Sequence, residues 1–190
     1  MTIDRDRLRQ RLAEAGHRKL PLQELRPAAV LVPLFHSDNE DRLLLTRRTD
    51  ELEHHGGEIS FPGGGWHAED PDLLTTALRE TEEEMGISPD DVTVYGRLDD
   101  FISIYNFRVT PYVGEFPYPY RYRANPSEIA EVIELPLRLF LQKGVWHQEN
   151  WTHQGRAHPV DFYQIDNYLV WGMTAAILRH FFQRYGLVES

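Results

Sequence analysis

The sequence predicts a single domain of the α+β or α/β class. Three observations lead there. The chain has 190 residues, 41% of them hydrophobic, which is enough to enclose one core without staples. Short apolar runs bounded by turn residues recur from Ala28 onward and read as strands, while only three stretches carry helical spacing. Strands interleaved with few helices, with no internal repeat and no second domain, give that class.

Along the chain, residues 4–15 carry Leu8, Leu12 and Ala13 at helical spacing, and "LPLQELRP" follows as a linker. "AAVLVPLF" from Ala28 and "RLLLTRR" from Arg42 flank the polar turn "HSDNED" and predict a hairpin of buried strands. A glycine-heavy loop, "HHGGEISFPGGGWHAEDP", leads into a helix over about 71–85, with Asp70 as N-cap, Pro71 at its first position and Gly86 after its last turn. "VTVYGRL", "FRVTPYVGEF", "AEVIELP" and "HPVDFYQI" read as strands, and "FPYPYRYRANPSE" as an ordered loop. A closing helix is expected from about Asn167 to Tyr185, with Trp171, Ala175, Leu178 and Phe182 on one face.

Composition narrows the function. No cysteine is present, so any metal sits on oxygen or histidine, and a reducing cytoplasm is the expected compartment. The N-terminus lacks the apolar core of a secretory signal, and no apolar run is long enough to span a bilayer; a membrane partner is not expected. A formal charge of −10 opposes binding to a nucleic-acid backbone, but leaves open a small phosphorylated ligand reached through a cation.

The stretch "RETEEEMGI" places five charged side chains in six positions, 79–84. At about 100° per residue, Ala77, Leu78, Thr81 and Met85 cluster around Leu74 as the core side. Glu80, Glu83 and Glu84 fall on a separate face. Glu82 points elsewhere as a bystander, and Arg79 lies one turn before Glu83 and can pair with it. Like charges at this spacing repel, and the C-terminal half of a helix offers carboxylates no help from the macrodipole. One reading is a solvated acidic face. The other is a seat for a hard divalent cation, Mg²⁺ or Mn²⁺, which takes oxygen ligands and neutralises phosphoryl charge.

These residues resemble the Nudix box. Arg79, Glu80, Glu83, Glu84, Gly86 and Ile87 match its second half, with Thr81 in place of an aliphatic residue. The first half departs: counting back from Arg79, Gly65 fits but Pro71 stands at the glutamate position, whereas counting forward from Gly64 puts Asp70 there with one extra residue before Arg79. The coenzyme A pyrophosphatase branch has the same spacing, and its upstream pattern is matched by Leu44, Leu45, Thr46, Arg48, His55, Gly57, Phe61, Pro62, Gly63 and Gly64. Thr49 and Glu53 depart from that pattern, Glu53 by replacing a basic residue. The resemblance spans about residues 26–182.

It implies a Nudix α/β/α sandwich, a mixed β-sheet between helices, over residues 26–186, with residues 1–25 as a helical extension and linker. It also implies metal-dependent hydrolysis of a diphosphate linkage, with coenzyme A giving 3′,5′-ADP and 4′-phosphopantetheine. Glu80 and Glu84 are then the metal ligands. Glu83 is a further ligand or the base for water, with Arg79 orienting it, and the backbone around Gly63 and Gly64 offers a carbonyl. Glu128 is the candidate distal glutamate, with Glu131 competing for that role. Arg48 and His55 are candidate phosphate contacts, His55 and His54 being otherwise exposed loop histidines. Trp171 and Met173 are either contacts to the pantetheine or adenine end or, from their spacing, core residues. The partner expected is a small-molecule diphosphate, and a homodimer is left open. Two alternatives stand beside this: a Nudix enzyme for ADP-ribose, dinucleotides or nucleoside triphosphates, and a non-catalytic nucleotide-binding module, which the presence of all three helical glutamates disfavours.

Overall fold

The computed structural model describes residues 1–14, 16–21, 24–50, 56–153 and 155–188. Helix α1 (Arg5–Glu14) precedes the hairpin β1 (Arg26–Ser37) and β2 (Glu40–Arg48), then β3 (Ile59–Ser60), β4 (Gly63–Gly65) and α2 (Leu73–Met85). A 3₁₀ turn (Pro89–Asp91) leads to β5 (Thr93–Arg97), β6 (Phe101–Ile102), β7 (Phe107–Glu115) and β8 (Ile129–Pro136). The chain continues with α3 (Leu137–Phe140), β9 (Trp146–His153), β10 (Arg156–Ile165), β11 (Tyr168–Trp171) and α4 (Gly172–Tyr185).

The hairpin turn is two residues long. Asp38 and Asn39 both have positive φ, 52° and 60°, the geometry whose twist matches a two-residue connection and which Asp and Asn tolerate. β1 pairs with β2 only near the turn, from Leu34↔Leu43 to Ser37↔Glu40. Beyond that the strands part: β1 takes β4 and β2 takes β3 on the facing edges. On its other edge β1 runs parallel to β7, whereas every other pairing in this sheet is antiparallel, so the sheet is mixed as expected.

Alternation along β2 separates two cores. Leu43 and Leu45 join Leu8 and Leu12 of α1 and Leu178 and Phe182 of α4, while Leu44 joins Phe35, Met85 and Ile129 on the α2 side. The sheet therefore lies between helices. Of the apolar residues read in α1, Leu8 and Leu12 are buried and Ala13 is exposed.

Two expected helices start later than their sequences suggest. Asp72, not Asp70, caps α2 by accepting the Thr75 amide at 2.8 Å, so Pro71 lies outside the helix. The closing helix divides because Gly172 adopts a φ of 64°; Tyr168–Trp171 is strand β11, and Trp171 is the residue before the helix rather than part of its face. Ala175, Leu178 and Phe182 are buried as read. The polar residues of β9 mask its period, so its sequence does not read as a strand. β9 forms with β10 and β11 a separate antiparallel sheet. Residues 116–128 hold no regular element but are ordered by Tyr120 and Tyr122, whose hydroxyls donate to Asp91 and Glu134 at 2.7 and 2.8 Å.

Candidate active site

The parting of β1 from β2 leaves room for the glycine strand β4, and α2 lies across it. Gly63 has a φ of 149°, and a Cβ there would meet Ala29 O at 2.3 Å; at Gly64 a Cβ would meet the Glu80 carboxyl carbon at 2.5 Å. Gly63 must be glycine for β4 to lie against β1, and bare Gly64 leaves room for the Glu80 carboxylate. The Gly63 amide donates to Glu84 Oε2 at 3.3 Å.

The carboxylates of α2 are graded in exposure rather than ranged on one open face. The buried side of the helix carries Thr76, Ala77, Thr81, Glu84 and Met85, so it is turned from Leu74 toward Glu84. Glu84 is 3% exposed, Glu80 is partly buried, and Glu83 and Glu82 are exposed. Burial pushes the Glu84 carboxyl up to about 8 despite Arg48, whose Nη1 lies 3.6 Å from Oε1. Burial also raises Glu80, with Arg79 opposing.

Arg79 gathers the rest. Its guanidinium reaches Glu80 at 2.9 Å, Glu83 at 3.0 Å and the Gly65 carbonyl at 3.2 Å. Its far side is held by Asp70, which also accepts from Thr76 Oγ1 at 2.9 Å and the His67 amide at 3.2 Å. Arg79 first, with these other donors, holds the Asp70 carboxyl far below the usual carboxylate range. Asp70 is thus the anchor of the arginine and not the helix cap. The forward count from Gly64 had already put it in the box glutamate's place.

Arg47 and Arg48 point to opposite faces because successive side chains of a strand alternate; beside them the β2–β8 register shifts, with Ala130 as the extra residue on β8. Arg47 pairs with Glu131 at 2.9 Å, and Tyr168 donates to the same carboxylate at 2.8 Å; Tyr168 first, then Arg47, lowers the Glu131 pKa. Glu131 is engaged there. Arg48 faces Glu84 instead, and its buried Nε has no hydrogen-bond partner among the described residues. Glu128 lies close enough to raise the Glu84 pKa, and its Oε1 accepts from Asn125 Nδ2 at 3.1 Å. Asn125 also donates its amide to the Glu84 carbonyl at 2.8 Å, which fixes this loop to the end of α2. Asn125 was not singled out in the sequence, where it looks like one more loop asparagine.

Thr49 sits beside Glu128, donating its amide to that residue's carbonyl at 2.9 Å. Trp171 stacks on Phe162 and Trp151 in the small sheet. His54, His55 and Glu53 lie outside the described residues.

Among the described residues no three acidic or imidazole side chains close around one point, since Arg79 draws Glu80 and Glu83 while Glu84 faces Arg48. The donors nevertheless suit a hard divalent cation: all are oxygens, one carboxylate is buried against the cost of its charge, and the Gly64 backbone is bare beside Glu80.

A mixed sheet between helices, with an Arg-Glu-x-x-Glu-Glu helix over a glycine strand, defines a class of phosphoanhydride hydrolase. The NUDIX domain model matches residues 25–155. Proteins named uncharacterised Nudix hydrolase NudL are similar: that of Citrobacter koseri is 41% identical over 154 residues, 81% of this chain and 80% of the relative. That of Cronobacter sakazakii is 40% identical over 179 residues, covering 94% and 92%. The chain belongs to the Nudix family, whose members hydrolyse diphosphate linkages with divalent metal ions. In fold it resembles a MutT/nudix family protein from Enterococcus faecalis, with a TM-score of 0.57 at 13% identity over 97% of this chain and 75% of that one. A C. elegans Ap4A hydrolase binary complex gives 0.51 at 19%, covering 58% and 80%.

Proposed function

We propose that the protein hydrolyses the diphosphate of coenzyme A, or of its oxidised or acyl forms, to 3′,5′-ADP and (acyl-)4′-phosphopantetheine, with Mg²⁺ or Mn²⁺. The observation that carries this reading is the contact of Arg48 with Glu84 above Gly63, which joins the two ends of the upstream "LLTRR…FPGG" pattern to the glutamate helix. The cation, when bound, neutralises charge on the diphosphate and lowers the cost of water's attack.

The chain's own residues do the rest. Glu80 and Glu84, with the Gly64 backbone, hold the cation, and Glu83 completes the set or takes the proton from the attacking water at a carboxylate oxygen. Arg79 holds the Glu83 carboxylate at 3.0 Å, so it meets water in a fixed direction. Arg48, about a quarter exposed beside Glu84, offers its guanidinium to a phosphate oxygen. Glu128, fixed by Asn125, adds a carboxylate at the mouth. One phosphorus–oxygen bond of the anhydride breaks, water's oxygen joins one phosphate, and the other leaves as a monoester.

The test is a panel assay with coenzyme A, acyl-coenzyme A, ADP-ribose, diadenosine polyphosphates and nucleoside triphosphates, with and without each metal, products read by mass. Metal-dependent release of 3′,5′-ADP with phosphopantetheine supports the reading. Cleavage of another diphosphate alone keeps the metal site and overturns the coenzyme A assignment; silence across the panel moves the weight to a binding module.

A further inference from the structure

The outward face of the small sheet is aromatic. His147, Phe162 and Trp171 are register partners on β9, β10 and β11. Their rings are nearly parallel, with centroids 4.9 Å apart at 7° and 6.3 Å apart at 12°. Trp151 leans on Phe162 and Trp171 and is 45% exposed, and Leu169 on the same face is 43% exposed.

The sheet does not need this face to stay attached. Its inner face buries Tyr163, Ile165 and Val170 in the α4 core, and Arg179 covers Trp146, whose indole donates to Asp161 at 3.0 Å. The ladder has two ends: His147 on the far strand, and Trp171 on β11, which packs against β3. At the β3 side Tyr168 bonds Glu131 and lies under the Arg47 guanidinium, 5.6 Å from its centroid. β11 packs against β3, and β3 pairs with β2, the strand that carries Arg48.

We propose that the purine ring of the substrate's nucleotide half stacks on Trp171, with Phe162 and Trp151 holding that indole in place. The inference rests on the diphosphatase reading above and assigns the subsite for its base. A flexible pantetheine arm gains little from a rigid ring, whereas every base has a π-face that does.

The test titrates adenosine 3′,5′-diphosphate and, as a probe without a base, inorganic diphosphate into wild type, Trp171→Leu and Trp171→Phe, following affinity by calorimetry and quenching by tryptophan fluorescence. Losing the stack should weaken adenosine 3′,5′-diphosphate about tenfold in Trp171→Leu and raise the KM for coenzyme A with kcat unchanged. Inorganic diphosphate should bind all three proteins alike. Trp171→Phe should keep most of the affinity but lose the part of the quenching that comes from Trp171, and this arm decides the matter if Trp171→Leu does not fold. Unchanged nucleotide affinity in a folded Trp171→Leu, an equal loss for inorganic diphosphate, or quenching undiminished in Trp171→Phe would each overturn the subsite. Failure of the diphosphatase reading shows separately, as absence of coenzyme A turnover by wild type.

Discussion

Asp70 and Arg79 lock as a two-pronged ion pair, Nε to Oδ1 and Nη2 to Oδ2, both at 3.0 Å. The pair joins the loop after β4 to the middle of α2, and its arginine also sets Glu80 and Glu83. Cutting the anchor should therefore loosen both. Asp70→Asn is expected to cost about 2–3 kcal/mol, less than a fully buried pair because Arg79 keeps some solvent. Turnover should fall at least about tenfold as Glu83 loses its fixed direction. Denaturant unfolding and steady-state kinetics check this; an unchanged midpoint would mean that the loop and helix are held by other contacts.

The neighbouring glycines should fail differently. At Gly63 an added Cβ meets backbone, Ala29 O at 2.3 Å and Val30 Cα at 2.6 Å, in a left-handed conformation, so Gly63→Ala must displace β1. A loss of more than about 2 kcal/mol is expected. At Gly64 the obstacle is the Glu80 carboxylate, which can swing away. Gly64→Ala should stay within about 1 kcal/mol of wild type in stability while turnover collapses. Melting curves and rates on the two variants separate these cases, and equal destabilisation would contradict the difference.

Glu84 should oppose the stability of the metal-free protein. Its carboxyl is raised by burial to about 8 from 4.5, so the folded state resists ionisation that the unfolded chain accepts. The cost is absent below pH 4.5, grows as pH rises, and is complete above about 8. In chelator, Glu84→Gln should melt at or above wild type, by a margin that widens from pH 5 to 8, yet be inactive with metal. Glu82→Gln, altering an exposed side chain, should leave rate and melting little changed. A margin that does not move with pH would mean that Glu84 is not the buried charge inferred here.

Much of this was legible because it follows local rules. The β1–β2 hairpin shows in the apolar runs and the Asp38–Asn39 turn, and Glu80, Glu83 and Glu84 show in their spacing. What failed depended on long-range contact. Asp70 is chemically as good a cap as Asp72, but Arg79, nine residues away, claims it together with Thr76 and the His67 amide. Helical angles alone could not say that Glu84 is buried and Glu83 exposed, because β4 decides which flank of α2 is covered. Trp171 fits a helical stripe until Gly172 turns to positive φ. The bulge at Ala130 of β8, opposite Arg47 and Arg48, leaves no mark in either strand's composition.

The last prediction concerns the N-terminal segment. Arg5 is shared between Asp41 on β2 and Glu115 at the end of β7, and Asp41, fully buried, also accepts the Ile3 amide at 2.6 Å. Burial alone would raise both carboxyls, but these bonds outweigh it and hold both below their ordinary values: Arg5, Ile3 and His36 for Asp41, Arg5 and Tyr95 for Glu115. A depressed carboxylate contributes stability that is full above its unfolded pKa, near 4, and is lost as pH falls through the folded value. Arg5→Ala should thus cost about 2–3 kcal/mol at neutral pH, or roughly 5–10 °C in Tm for a domain of this size. The gap between variant and wild type should close as pH drops below about 4, because acid protonates in wild type the carboxylates that the variant leaves unpaired. Melting temperatures of both proteins from pH 7 to 3 decide it. A gap constant over that range would mean that Arg5 supports α1 by packing, with the two carboxylates contributing nothing through charge.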